Sequence, residues 1–351
     1  TTTVPNGSVP DGTYDVADTF ALARFAAGSR LTVSTGLRAE TAKLHSDPKA
    51  ENALTPFTVD DLRLDKRWNS LTWSAGAVLD VGAGWSLAGN VARGFRAPTF
   101  SDTLSTGVPV FASGVASVPS PNVKPERSVT YEAGPRYVST RLNLSVTAYT
   151  NHLTDQLSSE AAGTINIPGV GVVNALRNAN IATAYIRGVE VAVAFRPVPS
   201  LTIFGNMAVT RGQDTTKDVP LRFIPPANGT IGARWQNPSS RWWLEGTAMI
   251  ADKLRRHAPN DEIDAGFSTD PGFGSPSATN PALPGFQING FTVATARLGA
   301  NVWTGGSQRR QRLDLTMDVN NIFNAKYREA YSQQQLYAPG FGVVIAARVG
   351  F

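Results

Sequence analysis

The chain lacks cysteine and contains only three histidines and three methionines. The absence of cysteine excludes disulfide bonds and thiol chemistry, and it leaves the redox compartment open. No stretch approaches the ~18 uninterrupted apolar residues that a membrane-spanning helix requires, so a helical membrane protein is excluded. If the chain crosses a bilayer, it must do so as a β-barrel, the other structure that satisfies every backbone polar group in lipid.

Several functional signals are also missing. Residues 1–13 contain neither a basic nor an apolar segment, so we expect no signal peptide and regard the chain as mature or truncated. The 32 basic and 27 acidic residues are interspersed, without the basic clusters and interleaved aromatics that a nucleic-acid partner would need. No nucleophile motif such as GxSxG is present, which argues against an enzyme, and no ligand spacing predicts a metal or cofactor.

What the sequence does contain is alternation with a period of two. Every second residue from Phe341 to Phe351 is apolar, and near the C-terminus leucines and a methionine alternate with Asp314, Thr316 and Asp318. Such alternation is typical of strands with one apolar and one polar face. It predicts about thirteen strands, at 14–26, 29–46, 71–81, 85–97, 127–138, 141–156, 182–196, 200–211, 224–236, 241–252, 290–303, 311–324 and 341–351.

The connections between the predicted strands alternate strictly between short and long. The short ones are rich in Gly, Pro, Ser and Asn, as tight turns require. The long ones are 47–70, 98–126, 157–181, 212–223, 253–289 and 325–340. This alternation places turns at one rim of an antiparallel sheet and loops at the other, which is the arrangement of outer-membrane barrels.

Two further features concern the ends of the strands and their number. Six tryptophans lie near predicted strand ends, and we expect them in the interfacial girdles of a barrel; they are Trp73, Trp85, Trp235, Trp242, Trp243 and Trp303. Bacterial single-chain barrels have an even number of strands. With thirteen, we expect that this chain does not close the sheet alone and is a fragment, with residues 1–13 a loop remnant.

Five segments carry a resemblance to a known family: ARGFRAPTFSD (92–102), PNVKPERSVTYEAGPRY (121–137), AYIRGVEV (184–191), NNIFNAKYREAYS (320–332) and PGFGVVIAARVGF (339–351). In this order and spacing the chain resembles the TonB-dependent outer-membrane receptors from about residue 14 onward. The resemblance implies an all-β fold, a transmembrane antiparallel β-barrel of 22 strands whose lumen holds an N-terminal plug. Residues 1–351 would form one β-barrel domain with about the last thirteen strands, the plug being absent.

The resemblance also implies a function. A member of this family in the cell outer membrane takes up a scarce, large solute, foremost a ferric siderophore, with energy coupled through TonB by way of the plug. It further implies that Phe351 faces outer-membrane lipid and forms part of the signal that the barrel-assembly machinery reads. A passive porin-like channel is the alternative from another class, and a soluble β-sandwich binding module is a third.

The family motifs supply a first group of candidate residues. Phe95, Arg96 and Pro98 lie where a strand meets loop 98–126, and Lys124, Pro125 and Glu126 lie at the other end of that loop. Receptors of many substrates share this box, so we interpret it as a structural feature of the barrel rim. Pro98 can end the ladder because proline donates no hydrogen bond. We also expect charges in the lumen to pair with one another or with a plug; they are Arg38, Asp80, Glu132, Arg136, Glu190, Arg234, Glu245, Asp314, Asp318 and Arg348.

The long loops supply the candidates for ligand binding, because loops carry recognition more often than scaffolds do. Loop 253–289 begins with a basic group that suits an anionic ferric chelate. The candidates are Lys253, Arg255, Arg256 and His257 in that loop, Lys217 and Arg222 in loop 212–223, and Tyr327, Arg328, Tyr331 and Tyr337 in loop 325–340. Haem uptake is disfavoured, because loop 98–126 contains no histidine to serve as an axial ligand.

Overall fold

The computed structural model describes residues 9–49, 57–106, 115–167, 171–221, 223–239, 241–256, 289–305, 311–330 and 337–350. These residues form one sheet of fifteen strands, with one short α-helix, α1 (Phe100–Thr103), in a loop. The strands are β1 (Gly12–Ala27), β2 (Leu31–Ser46), β3 (Asp65–Gly82), β4 (Trp85–Arg96), β5 (Val115–Ser117), β6 (Glu126–Val138), β7 (Leu142–Ile167), β8 (Gly171–Val198), β9 (Leu201–Asp214), β10 (Val219–Pro220), β11 (Asn228–Gln236), β12 (Trp242–Ala251), β13 (Phe291–Gly305), β14 (Gln311–Asn320) and β15 (Gly342–Gly350).

Thirteen of these strands form an antiparallel meander. Each pairs with the next main strand in the chain, in the order β1-β2-β3-β4-β6-β7-β8-β9-β11-β12-β13-β14-β15. The short β5 pairs in parallel with β8, and β10 pairs with β9. The all-β fold and the thirteen main strands are therefore confirmed. Among the described residues no pairing joins β1 to β15, so the sheet is barrel-like and open.

The cross-strand register gives the sheet two distinct faces. Along β8 and β9, Val189 pairs with Val209 and Val191 with Met207, while Glu190 between them pairs with Ala208 on the other face. The side chains of Val209 and Met207 are 44% and 50% exposed. Since all the described strands belong to one sheet, no second sheet covers these apolar side chains within the described ranges, which rules out a β-sandwich. We call the two sides the apolar face and the polar face.

Charges on the polar face form ion pairs across neighbouring strands. Arg234 of β11 lies opposite Glu245 of β12, which lies opposite Arg297 of β13, which lies opposite Asp318 of β14. The successive N···O distances are 3.5, 3.5 and 3.7 Å. Each such pair contributes only about 0.2–1 kcal/mol. The charges predicted to line the lumen share this face by register, and five of them, Arg38, Arg234, Glu245, Asp314 and Asp318, form ion pairs with residues of this face.

The strands β7 and β8 are longer than the sequence predicts. They continue pairing past Leu157 and Asn180 to Ile167 and Gly171, so the prediction of a long loop at 157–181 is wrong. Ile165 and Val173 pair near the tip, but residues 158–163 and 177–180 are polar, alanine or glycine, so no continuous apolar stripe marks the strands. Main-chain hydrogen bonds therefore extend the hairpin beyond the depth where hydrophobic alternation is visible.

Aromatic residues lie on the apolar face at the turn rim. Trp235 and Trp242, on either side of the turn between β11 and β12, pack with ring centroids 4.7 Å apart. Trp85 packs against Tyr137 at 4.8 Å, next to the turns of β3–β4 and β6–β7. Trp303 lies in the last part of β13 on the same face. Four of the predicted girdle tryptophans therefore line one rim.

Two other tryptophans lie elsewhere. Trp243 follows Trp242 in β12 and so points to the polar face, where the guanidinium carbon of Arg234 lies 3.8 Å from the centre of its ring. Trp73 lies on the apolar face but in the middle of β3, because this strand begins at Asp65 rather than at 71. The girdle prediction is wrong for these two residues. No helix among the described residues is long and apolar enough to cross a membrane.

Candidate functional site

The junction between β4 and the following loop is built around Arg96. Arg96 ends β4 and lies directly opposite Glu126, the first residue of β6. Its Nε donates a hydrogen bond to Glu126 Oε2, and its Nη1 donates to Asp102 Oδ2 at 2.7 Å. The other oxygen of Glu126 accepts the N–H of Leu157 in β7 at 2.6 Å. One guanidinium and one carboxylate thus tie α1 to three strands at the loop rim.

Asp102 is held in its ionised form. Thr99 caps the N-terminus of α1, and its N–H and hydroxyl donate to Asp102 Oδ2 at 2.8 and 2.9 Å. Burial is the largest single influence and raises the pKa of Asp102, but the Thr99 N–H, the Arg96 guanidinium and the Thr99 hydroxyl together outweigh it. The pKa of Asp102 therefore lies below its ordinary value, and the carboxylate persists at neutral pH.

Helix α1 turns the start of this loop inward, over the polar face. Phe100 and Leu104 pack with Leu44, Leu64 and Trp68 in a small hydrophobic cluster. Leu44 and Leu104 are fully buried there, and Pro98 is also buried. We call residues 97–106 together with 115–125 the inner loop, since its first part covers the loop end of the polar face.

Asn180 of β8 fastens the end of the inner loop. Its Oδ1 accepts the N–H of Lys124 at 2.7 Å, and its Nδ2 donates to the carbonyl oxygens of Lys124 at 2.9 Å and Asp155 at 2.6 Å. Lys124 takes part through its backbone, and its side chain is exposed. Any residue able to adopt this backbone conformation would keep these contacts, so the geometry supports a structural interpretation of the 124–126 motif.

Asn178, on the same strand, holds the first part of the inner loop. Its Nδ2 donates to the carbonyl oxygens of Ser101 at 3.3 Å and Asp102 at 3.1 Å. Its N–H donates to Ser120 Oγ at 2.9 Å, beside the parallel pairing of β5 with β8. The extension of β8 above the rim therefore acts as the wall against which the inner loop folds.

The residues predicted to bind ligand separate into two groups. Arg222, His257 and Tyr331 lie outside the described residues, as does Phe351. The others lie at the loop rim: Lys217 lies between β9 and β10, Lys253, Arg255 and Arg256 lie after β12, and Tyr327, Arg328 and Tyr337 lie after β14. Phe291, the first residue of β13, pairs with the last residue of β12 and stacks on Tyr327. The structure thus brings the two loops to the same part of the rim.

Aromatic rings and cations meet in the loop after β14. Tyr327 packs on Phe291 with ring centroids 4.4 Å apart. The ring of Tyr337 has Lys326 Nζ at 4.3 Å from its centre and the guanidinium carbon of Arg328 at 4.4 Å. The Nε of Arg328 is buried and has no hydrogen-bond partner among the described residues. We call these five residues the rim cluster; it holds two cations that no described carboxylate pairs with.

The basic residues after β12 point in different directions. Arg255 is 76% exposed and lies 3.5 Å from the carboxylate of Asp252. Arg256 turns toward β9, where its Nη1 donates to the carbonyl oxygen of Gly212 at 3.0 Å and its Nη2 donates to Gln213 Oε1. The cavity beside these residues measures about 160 Å³. Pockets for drug-sized ligands measure about 300–1,000 Å³, so this cavity is too small for a metal chelate.

The family model "TonB dependent receptor-like, beta-barrel" matches residues 1–341. The chain belongs to the TonB-dependent receptors. This family consists of receptors and transporters rather than enzymes, and its members are outer-membrane proteins. Among the described residues of this receptor, no group of three or more His, Asp or Glu side chains is placed to hold a metal ion.

Solved structures share the fold of this receptor at low sequence identity. The copper transporter OprC is 16% identical with a TM-score of 0.73, and the match covers 97% of this chain and 48% of OprC. The siderophore receptor PirA from Acinetobacter baumannii is 16% identical with a TM-score of 0.65, covering 96% and 54%. The FrpB iron transporter from Neisseria meningitidis is 16% identical with a TM-score of 0.65, covering 97% and 46%. The receptor chain therefore spans about half the length of these relatives. No curated protein matches it by sequence.

Sequence reasoning missed several residues that shape this rim. Helix α1 had a local signal, because Thr99 and Asp102 have the spacing of a capping box directly after Pro98. Asn178 and Asn180 had none, since their partners in the inner loop lie 56 to 77 residues away in the chain.

Proposed function

We propose that this receptor takes up a large anionic metal chelate across the outer membrane, a ferric siderophore foremost, with energy coupled through TonB. The observation that carries the proposal is the rim cluster, in which Lys326 and Arg328 share the ring of Tyr337. Cations without a carboxylate partner attract an anion, and aromatic rings supply contact area at low cost in conformational entropy. Siderophore and iron transporters among the structural relatives support this choice of substrate.

The rest of the uptake path follows from the two faces of the sheet. We propose that the apolar face contacts outer-membrane lipid and that a plug, through which TonB acts, occupies the polar side. A recess of about 1,200 Å³ lies over the polar face near the turns, and its volume supports the presence of such a segment. Its lining includes Arg241, Trp243, Arg312 and Arg348. Among the described residues β1 and β15 each lack a partner on one edge, and this together with the half-length match supports further strands in the complete barrel. Assembly would involve recognition of the last strand, including Phe351, by the barrel-assembly machinery.

Binding of ferric siderophores to the full-length gene product tests the proposal. The double variant K326Q/R328Q removes both cations of the rim cluster while keeping side chains of similar length. Since a hydrogen bond to a charged group contributes about 1.5–3 kcal/mol, we expect affinity to fall roughly tenfold or more. The control R30Q, in the turn between β1 and β2 at the opposite rim, should bind like the parent. An unchanged affinity in the double variant would contradict the assignment of the rim cluster.

Planar-bilayer recording separates this proposal from the porin-like alternative. A gated receptor conducts little current in the absence of its energised partner, because the plug closes the lumen. Steady conductance by the full-length gene product, together with no binding of any chelate, would favour a passive channel instead.

A further inference from the structure

The charged residues on the apolar face have a one-sided distribution. Along the described strands this face is uncharged through the middle and at the turn rim, where the aromatic residues lie. Near the loop rim it carries basic residues on six strands, Lys43 of β2, Arg67 of β3, Arg93 of β4, Arg127 of β6, Arg187 of β8 and Arg211 of β9. Two carboxylates, of Asp15 and Asp65, accompany the first two of these. The charge therefore appears at one specific depth.

Arg187 of β8 and Arg211 of β9 are the most unusual of these basic residues. Arg187 lies directly opposite Arg211. Direct cross-strand partners have Cβ atoms about 4.5–5.5 Å apart, and like charges at this spacing are destabilising. Both side chains are exposed, and neither forms an ion pair with a described carboxylate. The guanidinium of Arg187 lies over the ring of Tyr185, 4.9 Å from its centre.

A third guanidinium joins the pair from the loop after β12. Arg256 reaches the backbone of Gly212 and the side chain of Gln213, the two residues that follow Arg211. Burial, and next the charge of Arg211, lower the pKa of Arg256 from its ordinary value. The charge of Asp218 acts in the opposite direction, and this carboxylate accepts a hydrogen bond from Gln213 Nε2 at 2.7 Å. Three cations therefore lie near one another, and the neighbouring carboxylate of Asp218 is already engaged by Gln213.

The position of the three arginines indicates what kind of ligand neutralises their positive charge. Directly below Arg187 and Arg211, the same face continues as exposed apolar side chains, Val189 opposite Val209 and then Met207. A ligand that fits this surface has an apolar chain that lies along the strands and an anionic head at the loop rim. Arginine forks match phosphate oxygens in geometry and form charge-assisted hydrogen bonds with them.

We propose that Arg187, Arg211 and Arg256 form a site on the outside of the barrel for the phosphorylated headgroup of an outer-leaflet lipid. The apolar stripe below them favours a lipid over free phosphate as the source of the anion. This inference rests on the outer-membrane location in the proposed function. It assigns these arginines to the membrane, away from the solute path, and therefore removes Arg256 from the chelate-binding group.

Lipid titration of the purified full-length gene product in detergent micelles tests the site. The probes are bis-phosphorylated lipid A, its dephosphorylated form and inorganic phosphate, with bound lipid counted by native mass spectrometry. We expect retention of the phosphorylated lipid only. The variant R187Q/R211Q should bind it roughly tenfold more weakly or worse, since two charge-assisted contacts are lost. R187K/R211K should keep most of the binding, and the control R196Q, near the turn end of β8, should bind like the parent.

Three results would overturn the proposal: unchanged affinity in R187Q/R211Q, equal binding of phosphorylated and dephosphorylated lipid, or binding of inorganic phosphate as tightly as the lipid. Thermal stability gives a second readout with a change of sign. Without anionic lipid, R187Q should raise the melting temperature because it removes like-charge repulsion, and with bis-phosphorylated lipid it should lower it relative to the parent. A heat-modifiable gel band checks folding. A chain that fails to insert contradicts the proposed function, whereas an inserted barrel that ignores the phosphate contradicts this inference alone.

Discussion

A matched pair of arginine substitutions tests whether the apolar face meets lipid. Met207 lies on the apolar face of β9 and its neighbour Asn206 on the polar face, and neither is opposite a charged residue. Met207 is four residues from Arg211, which is about 13 Å along a strand and about 10 Å in depth at a tilt of about 40°. The apolar band of a barrel is ~25 Å tall, so Met207 lies close to its midplane.

At that depth an arginine facing lipid costs about 2–4 kcal/mol, whereas a lumen-facing arginine remains hydrated. We therefore expect M207R to lower the free energy of unfolding by about 2–4 kcal/mol and N206R by less than about 1 kcal/mol. The difference is at least about 1 kcal/mol, which corresponds to a shift of at least roughly fivefold in the unfolding equilibrium. Urea unfolding of the full-length gene product in phospholipid vesicles, followed by tryptophan fluorescence, measures both. A loss in N206R equal to or larger than that in M207R would refute the assignment of the two faces.

Four further changes probe the loop rim and the sheet. E126Q removes the charge that Arg96 binds and should lower stability by about 1 kcal/mol, since the partner is half exposed, with faster proteolysis of the inner loop as the readout. N180A removes three hydrogen bonds and should speed amide exchange at residue 124, measured by mass spectrometry, without changing exchange in the middle of β8. The pKa of Asp102 is lower in the folded state than in the unfolded state, where it is about 3.9. Its ionised form therefore stabilises the fold fully above that value, and this contribution is lost as the pH falls through the lower native pKa. D102N should make the free energy of unfolding less dependent on pH in that range. G134A would place a methyl group on a neighbouring backbone carbonyl and should cost about 1–3 kcal/mol, whereas G89A, with its nearest atoms 3.6 Å away, should be tolerated in the same unfolding assay.

The strands that the sequence predicted are those whose two faces meet different environments, because apolar and polar residues alternate along them. Where the sheet has one apolar and one polar face, residues alternate along the strand, and this alternation marked each of the thirteen main strands. Beyond Leu157 the paired strands carry no such continuous alternation, which is why the hairpin extension was predicted as a loop. Its strands are held by backbone pairing, which any sequence without proline can supply.

The loop rim was less accessible to sequence reasoning. Residue type alone indicated that cations and tyrosines at 253–256 and 327–337 lie on one rim, and the contact of Phe291 with Tyr327 places the two loops together. It did not indicate which of these side chains face the outside of the sheet. Arg256 turns outward because Gly212 and Gln213 offer acceptors on β9. Such choices depend on strand neighbours that are adjacent only after the sheet forms.

The order of the strands has a consequence for how the protein is made. Every main strand pairs with the strand next to it in the chain, so no main-strand pairing has to wait for a distant segment. Closing each short turn costs little entropy, because the cost grows only with the logarithm of loop length. The sheet can therefore form one hairpin at a time. At each step the growing edge exposes unpaired amides, and the next segment of the same polypeptide covers them.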